Sequence, residues 1–171
     1  YDGTIYNVRD VLDRVGHLCD YILFDEAWGS YLRFHPLFHN NCAMGLDVTA
    51  DDPGIVSTQS THKQLSGFSQ ASQICVKDHH IEGQARHCGH KRFNEFYMLH
   101  ASTSPFYPLW ASLDVGNQMM KGRNGFHLWN EAIRTATEIR KSVRERARQF
   151  VAEAANDEQQ WFFDPFVPDR V

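Results

Sequence analysis

Apolar residues recur along this chain with two different periods. Val8, Val11, Leu12 and Val15 fall three and four apart, which predicts a short amphipathic helix over residues 7–18. Tyr21 to Phe24 is a compact apolar run halted by Asp25, the signature of a buried parallel strand whose C-terminal end carries chemistry. A second strand is predicted from Gly54 to Ser60. A third, from Gln73 to Lys77, follows so short a turn that it should return antiparallel. Before these, Tyr1 to Asn7 reads as a strand end and turn, with Asp2-Gly3 as the turn signal.

The second half of the chain is helical in pattern. Asp78 to His90 is polar and reads as a surface loop. Phe93, Phe96, Tyr97 and His100 take helical spacing within residues 92–101. Ser104-Pro105 reads as a helix start with Pro near the first helical position, and the helix should run from Phe106 to Met120 and end near Gly122. From Phe126 to Ala154 the positions Phe126, Trp129, Ile133, Ala136, Ile139, Val143, Phe150 and Val151 trace one helical face, with Arg and Glu on the other. Strands interleaved with helices predict an α/β layered fold.

Composition narrows the function without naming it. At 171 residues, 42% hydrophobic and 22% charged, the chain has the length and make-up of one globular domain. A net charge of −4 gives no electrostatic case for nucleic acid or an anionic membrane. No apolar run reaches the roughly 18 residues that a membrane helix needs. Cys19, Cys42, Cys75 and Cys88 form no CxxC pair and are expected as free thiols, Cys19 and Cys75 within apolar segments. No basic-then-apolar leader opens the chain, so a cytoplasmic protein is expected.

The chemistry concentrates at two strand ends. Asp25-Glu26-Ala27-Trp28 closes the first, and Ser57-Thr58-Gln59-Ser60-Thr61-His62-Lys63 closes the second. With the runs Gly16 to Asp25, Asp52-Pro53-Gly54-Ile55, Thr58 to Ile74, His90-Lys91-Arg92 and Met98 to Pro108, these segments resemble the fold-type-I ornithine/lysine/arginine decarboxylases, and most of all their biodegradative ornithine branch. The resemblance is strongest over roughly the first 150 residues.

That resemblance implies a cofactor, pyridoxal 5'-phosphate, and a role for each residue. Lys63 is the amine that condenses with the cofactor aldehyde, and it must be partly desolvated, which lowers its pKa, and free of carboxylate partners. Asp25 keeps the pyridine nitrogen protonated, so the ring can accept electrons. Read from the sequence alone, Asp25 could equally cap a helix. Ala27 packs under the ring, or is small-residue core packing. Ser60 and His62 face the phosphate, where a hydroxyl and an imidazole would give charge-assisted hydrogen bonds. His62 could instead contact the substrate carboxylate or move a proton, and ordinary turn chemistry is the plain alternative for both. Trp28 reads as core or pocket wall. Ser102, Thr103 and Ser104 form a hydroxyl cluster that, by resemblance, reaches the phosphate of a neighbouring subunit; a ligand-free helix cap is the alternative.

The resemblance also implies part of the large pyridoxal phosphate-binding domain of aspartate aminotransferase-like enzymes, a mostly parallel sheet flanked by helices. Residues 1–125 would be the C-terminal half of that major domain. Residues 126–171 would be a long amphipathic helix and a linker toward a further domain, with the Trp161 to Phe166 stretch needing a packing partner. The chain would then be an internal piece of a homodimer, or of an oligomer of dimers. Its reaction would be decarboxylation of a basic amino acid, ornithine first, with lysine or arginine as the alternative. A non-catalytic relative of the same fold is the competing reading. His79, His80, His87, Cys88 and His90 crowd one loop, yet match no standard zinc spacing, so no metal is expected and a polar loop is preferred.

Overall fold

The structure, a computed structural model, describes residues 3–154 and residues 161, 163 and 165. The chain divides into two compact units, Tyr1–Phe126 and His127–Val171, each taken here by itself.

In the first unit, α1 spans Val8–Val15 and a 3-10 turn, Gly16–Leu18, completes the predicted helical segment. The Asn7 side chain caps α1 by accepting from the Asp10 amide at 3.3 Å. Three strands follow: β1 Tyr21–Asp25, β2 Gly54–Gln59 and β3 Gln73–Lys77. They form one sheet in the order β1-β2-β3. β1 and β2 run parallel with Asp25 beside Thr58, and β3 returns antiparallel with Gln73 beside Gln59. Among the described residues the sheet is small and mixed, with the antiparallel return of β3 that the short turn predicts. The short connection through α2, Thr61–Gln64, sends β3 back along β2.

The core lies on one face of this sheet. Val8 and Leu12 of α1 meet Ile55, Ala43 and Leu46, with Ile22, Phe24, Met44 and Val48 packed around them. Ala43 and Leu46 come from the segment between β1 and β2, which folds as successive 3-10 turns, Leu32–Phe34, Pro36–Asn41 and Ala43–Gly45. The opposite face carries Leu23, Ile74 and Val76, all exposed. Leu23 is thus exposed while Ile22 and Phe24 pack on the core, a correction to the buried strand read from this apolar run. Strand side chains alternate between faces, and α1 packs on just one.

Asp52 fastens α1 to the entry of β2. It accepts from the Thr49 amide at 2.8 Å, the Thr49 hydroxyl at 3.1 Å and the Arg9 guanidinium at 3.3 Å. Burial alone pushes the Asp52 carboxyl up; these donors outweigh it and hold it below its usual value. A lowered folded-state value gives stability that is present above the unfolded value, near ~3.9, and lost as pH falls through the folded one. Asp52→Asn is expected to cost about 1–2 kcal/mol at neutral pH. The gap between variant and parent should close as pH drops below about 4. Denaturant titrations at several pH values check this, and a pH-independent gap would refute it.

The remaining elements are α3 His90–His100, α4 Tyr107–Met120 and α5 Arg123–Glu153. α4 matches the predicted Phe106 to Met120 helix to within one residue: Phe106 is its N-cap and Pro108 occupies the first turn. In the second unit α5 half-buries Trp129, Ile133 and Val143. Arg134 pairs with Glu131 at 2.6 Å and lies 3.7 Å from Glu138. The Phe150 and Trp161 rings meet at 5.7 Å, while Phe162 and Phe166 of the aromatic stretch lie outside the described residues. Among the described residues no helix is long and apolar enough to cross a membrane.

Candidate active site

Parallel pairing puts the two predicted strand ends side by side. Asp25 closes β1, and β2 runs past it to Gln59, where α2 turns off with Ser60 as its N-cap. The carboxyl ends of parallel strands are where α/β sheets place ligands. The fold thus brings Asp25, Ala27, Ser60, His62 and Lys63 to one end of the sheet.

Asp25 divides its carboxylate. Oδ1 accepts from the Ala27 amide at 3.0 Å and from the Thr58 hydroxyl at 3.4 Å. Oδ2 has no partner among the described residues and the side chain is exposed. The capping role and the ligand role read from the sequence are therefore compatible, one oxygen for each. Ala27 is half-buried directly beyond it.

Lys63 is exposed, and among the described residues no carboxylate pairs with it. Its Nζ stands 5.2 Å from the centroid of the Trp28 ring. Lys77 differs: its Nζ donates to the Leu46 carbonyl at 2.5 Å, and burial pushes its pKa down. Ser60 makes no side-chain capping bond, so its hydroxyl is uncommitted.

His62 is tied to one carbonyl. The Ala71 oxygen accepts from the Thr61 hydroxyl at 3.0 Å, from the His62 amide at 3.3 Å and from His62 Nδ1 at 2.8 Å. A carbonyl can only accept, so Nδ1 carries a proton, and whenever the ring is neutral its lone pair lies on Nε2. This needs the 65–71 loop to press against α2. A Cβ at Gly67 would stand 2.9 Å from Thr61 Oγ1 and 3.1 Å from the Ala71 Cβ, so glycine permits the approach. The loop is held in turn by the Phe68 amide, which donates to Ser112 Oγ of α4 at 3.0 Å.

One residue that the motif reading left without a role organises the whole site. Glu26, next to Asp25, is buried, and its carboxylate accepts from three segments: the Ala43 amide at 2.6 Å, Ser57 Oγ at 2.5 Å and Gln59 Nε2 at 3.1 Å. Gln59 Oε1 then accepts from Gln73 Nε2 at 2.8 Å, extending the network to β3. One anion thus clamps the Asp25–Ala27 turn to the strand that delivers Ser60 and Lys63. A period-two reading of Ser57 and Gln59 on one face of β2 is the signal that points to it. The thiols of Cys42 and Cys75 are pushed up by burial first and by the Glu26 charge second, and all four cysteines are free. Glu26→Ala leaves buried donors without an acceptor and is expected to cost about 3–5 kcal/mol in chemical denaturation. A loss under about 1 kcal/mol would show the donors re-pairing at little cost.

Thr103 and Ser104 lie in the exposed α3–α4 connection, where the Ser104 amide donates to Ser102 Oγ at 3.1 Å. They precede α4 rather than cap it, which corrects the helix-start reading. Among the described residues no hydrogen bond joins them to Asp25, Ser60, His62 or Lys63. The histidine loop is engaged piecemeal. His79 meets Glu82 at 2.8 Å, His80 Nε2 lies 3.0 Å from the Pro53 carbonyl, and His87 lies 3.4 Å from Asp78. Among the described residues no group of His, Cys, Asp and Glu could hold a metal ion.

Among the described residues, an amine without a carboxylate partner, a carboxylate with one open oxygen and a hydroxyl without a capping bond are gathered at these strand ends. The family described as Orn/Lys/Arg decarboxylase, major domain, matches residues 1–171, and the chain belongs to it. It is 55% identical over its full length to the constitutive ornithine decarboxylase of Escherichia coli K12 and 49% identical to the inducible ornithine decarboxylase of the same strain. The solved structure of lysine decarboxylase A from Pseudomonas aeruginosa superposes with a TM-score of 0.80 at 37% identity, over 95% of this chain and 20% of that one. The chain spans 22% of the length of each of the two ornithine decarboxylases.

Proposed function

We propose that this chain is the part of a pyridoxal 5'-phosphate-dependent carboxy-lyase that carries the attachment lysine, and that the enzyme converts L-ornithine to putrescine and CO2. The observation that carries the reading is the pairing of Asp25 with the Ser60–Lys63 turn at the carboxyl ends of two adjacent parallel strands. Family membership and the higher identity to ornithine decarboxylases than to the lysine enzyme support it. On this reading the sheet belongs to a fold-type-I, aspartate aminotransferase-like domain, with residues 1–125 its C-terminal half and residues 126–171 a helix and linker toward a further domain.

The donor set fits the cofactor. When bound, pyridoxal phosphate supplies the sink for the electron pair released as CO2 departs. Lys63 holds it covalently. Asp25 presents Oδ2 to the ring nitrogen and keeps its proton in place, while Oδ1 stays bound to the turn. Ala27 offers a small surface beneath the ring. Ser60 donates its hydroxyl to the phosphate. His62, with Nδ1 fixed on the Ala71 carbonyl, takes up and returns a proton at Nε2 toward the substrate α-carbon. Thr103 and Ser104 serve the phosphate of a neighbouring copy in a homodimer, or in an oligomer of dimers. The protein works in the cytoplasm on a free amino acid, without nucleic acid or membrane.

The reading is tested by CO2 release from ornithine, lysine and arginine, using the polypeptide at the length of its relatives. A one-methylene misfit costs about 1–3 kcal/mol, so ornithine should exceed lysine by roughly 10- to 200-fold in kcat/KM. A preference for lysine or arginine overturns the branch. No release from any of the three, with cofactor bound, favours the non-catalytic relative.

A further inference from the structure

Trp28 is the side chain at this end of the sheet to which the proposed chemistry gives no part. It is 45% exposed, yet Lys63 Nζ stands 5.2 Å from its ring centroid. A cation within ~6 Å of an aromatic centroid is attracted by the ring quadrupole, and indole is the strongest of the aromatic side chains. The turn that carries Trp28 is fixed independently of Lys63: the Gly29 amide donates to the Glu26 carbonyl at 2.8 Å, and the Glu26 carboxylate is clamped from three sides. The backbone that carries the ring is therefore held beside the Lys63 turn.

A lysine that must alternate between bonded and free needs a resting place that does not capture it. A carboxylate there would hold the ammonium through charge-assisted hydrogen bonds. An indole face holds it by charge and quadrupole alone and leaves the N–H groups uncommitted. We propose that Trp28 is a positioning residue for Lys63, its indole holding the Lys63 ammonium whenever that amine is not joined to the cofactor. This rests on the reading of Lys63 as the attachment lysine. If the substrate amine replaced Lys63 on the cofactor carbon, a C=N bond to the substrate nitrogen would form as the C=N bond to Nζ broke. Nζ, carrying one proton while bonded, would gain two from the substrate ammonium, and no electrons would change hands. The ammonium so produced comes to rest over Trp28, within reach for the return step.

The test uses cofactor-free enzyme at the length of its relatives, with Trp28, Trp28→Tyr and Trp28→Leu. A small amine-acylating reagent is applied, and modification of Lys63 is read by peptide mapping against Lys91 as internal reference. Releasing the ammonium from an exposed aromatic face should raise the Lys63-to-Lys91 ratio about 2- to 5-fold in Trp28→Leu, with Trp28→Tyr between. General loosening of the fold raises both lysines together and leaves the ratio unmoved. A second readout keeps Trp28 in place: Lys63→Met should change the Trp28 emission, seen as a difference that vanishes in the Trp28→Tyr background. An unchanged ratio and an unchanged emission, with borohydride mapping the cofactor to Lys63, overturn the role of Trp28 alone. Cofactor mapped to Lys77 or Lys91 overturns the parent reading, and this inference falls with it.

Discussion

Lys63→Ala is expected to abolish covalent attachment of the cofactor and to lower turnover by at least about three orders of magnitude, some ~4 kcal/mol of barrier. Borohydride reduction of the loaded parent enzyme, followed by peptide mapping, should place the label on Lys63. The structure argues for this choice among neighbouring lysines on physical grounds. Lys77 Nζ is already spent on the Leu46 carbonyl, on the face of β3 that borders the core. Lys91 lies at the exposed start of α3. Lys63 alone of these follows the carboxyl end of the parallel pair. A label recovered on Lys77 or Lys91 would falsify the assignment.

Asp25→Asn should leave the fold standing and remove most of the activity. The asparagine carbonyl can still accept from the Ala27 amide and the Thr58 hydroxyl, so the turn beyond β1 keeps its geometry. What disappears is the negative charge at the open oxygen. Loss of one strong charge-assisted interaction in such a site is worth about 2–4 kcal/mol, roughly 30- to 1,000-fold in rate. The thermal midpoint should move little by comparison. Wild-type turnover in this variant would mean that Asp25 does no more than cap a turn.

The sequence made some of this architecture legible and concealed the rest for identifiable reasons. Three short apolar runs bounded by Asp25, Ser60 and Lys77 carried strong strand signals, and the short α2 connection settled the antiparallel return of β3. The candidate residues Asp25 and Ser60–Lys63 stood out by falling at strand ends, and the resemblance to a family suggested their roles. The segment between β1 and β2 was opaque. Its 3-10 turns have no long period, and they are held by contacts such as that of the Ala43 amide with Glu26, which no local pattern announces. The Ser104-Pro105 signal located the start of α4 to within one residue, although the proline in its first turn is Pro108. Leu23 reads as buried by its neighbours' character, yet it points away from α1, and among the described residues of this unit no helix covers that side.

The Glu26 carboxylate also bears on how the site comes into being. Its donors arrive from Ala43, Ser57 and Gln59, so the anion cannot leave water at low cost until β2 has docked beside β1 and the intervening turns have closed. With one donor missing, burial is penalised and the carboxylate stays hydrated, holding the Asp25 turn open. The last hydrogen bonds therefore close together, as a cooperative step. The spacing of Asp25 and the lysine turn therefore depends on segments as far apart in sequence as Ala43 and Gln59 meeting at one carboxylate.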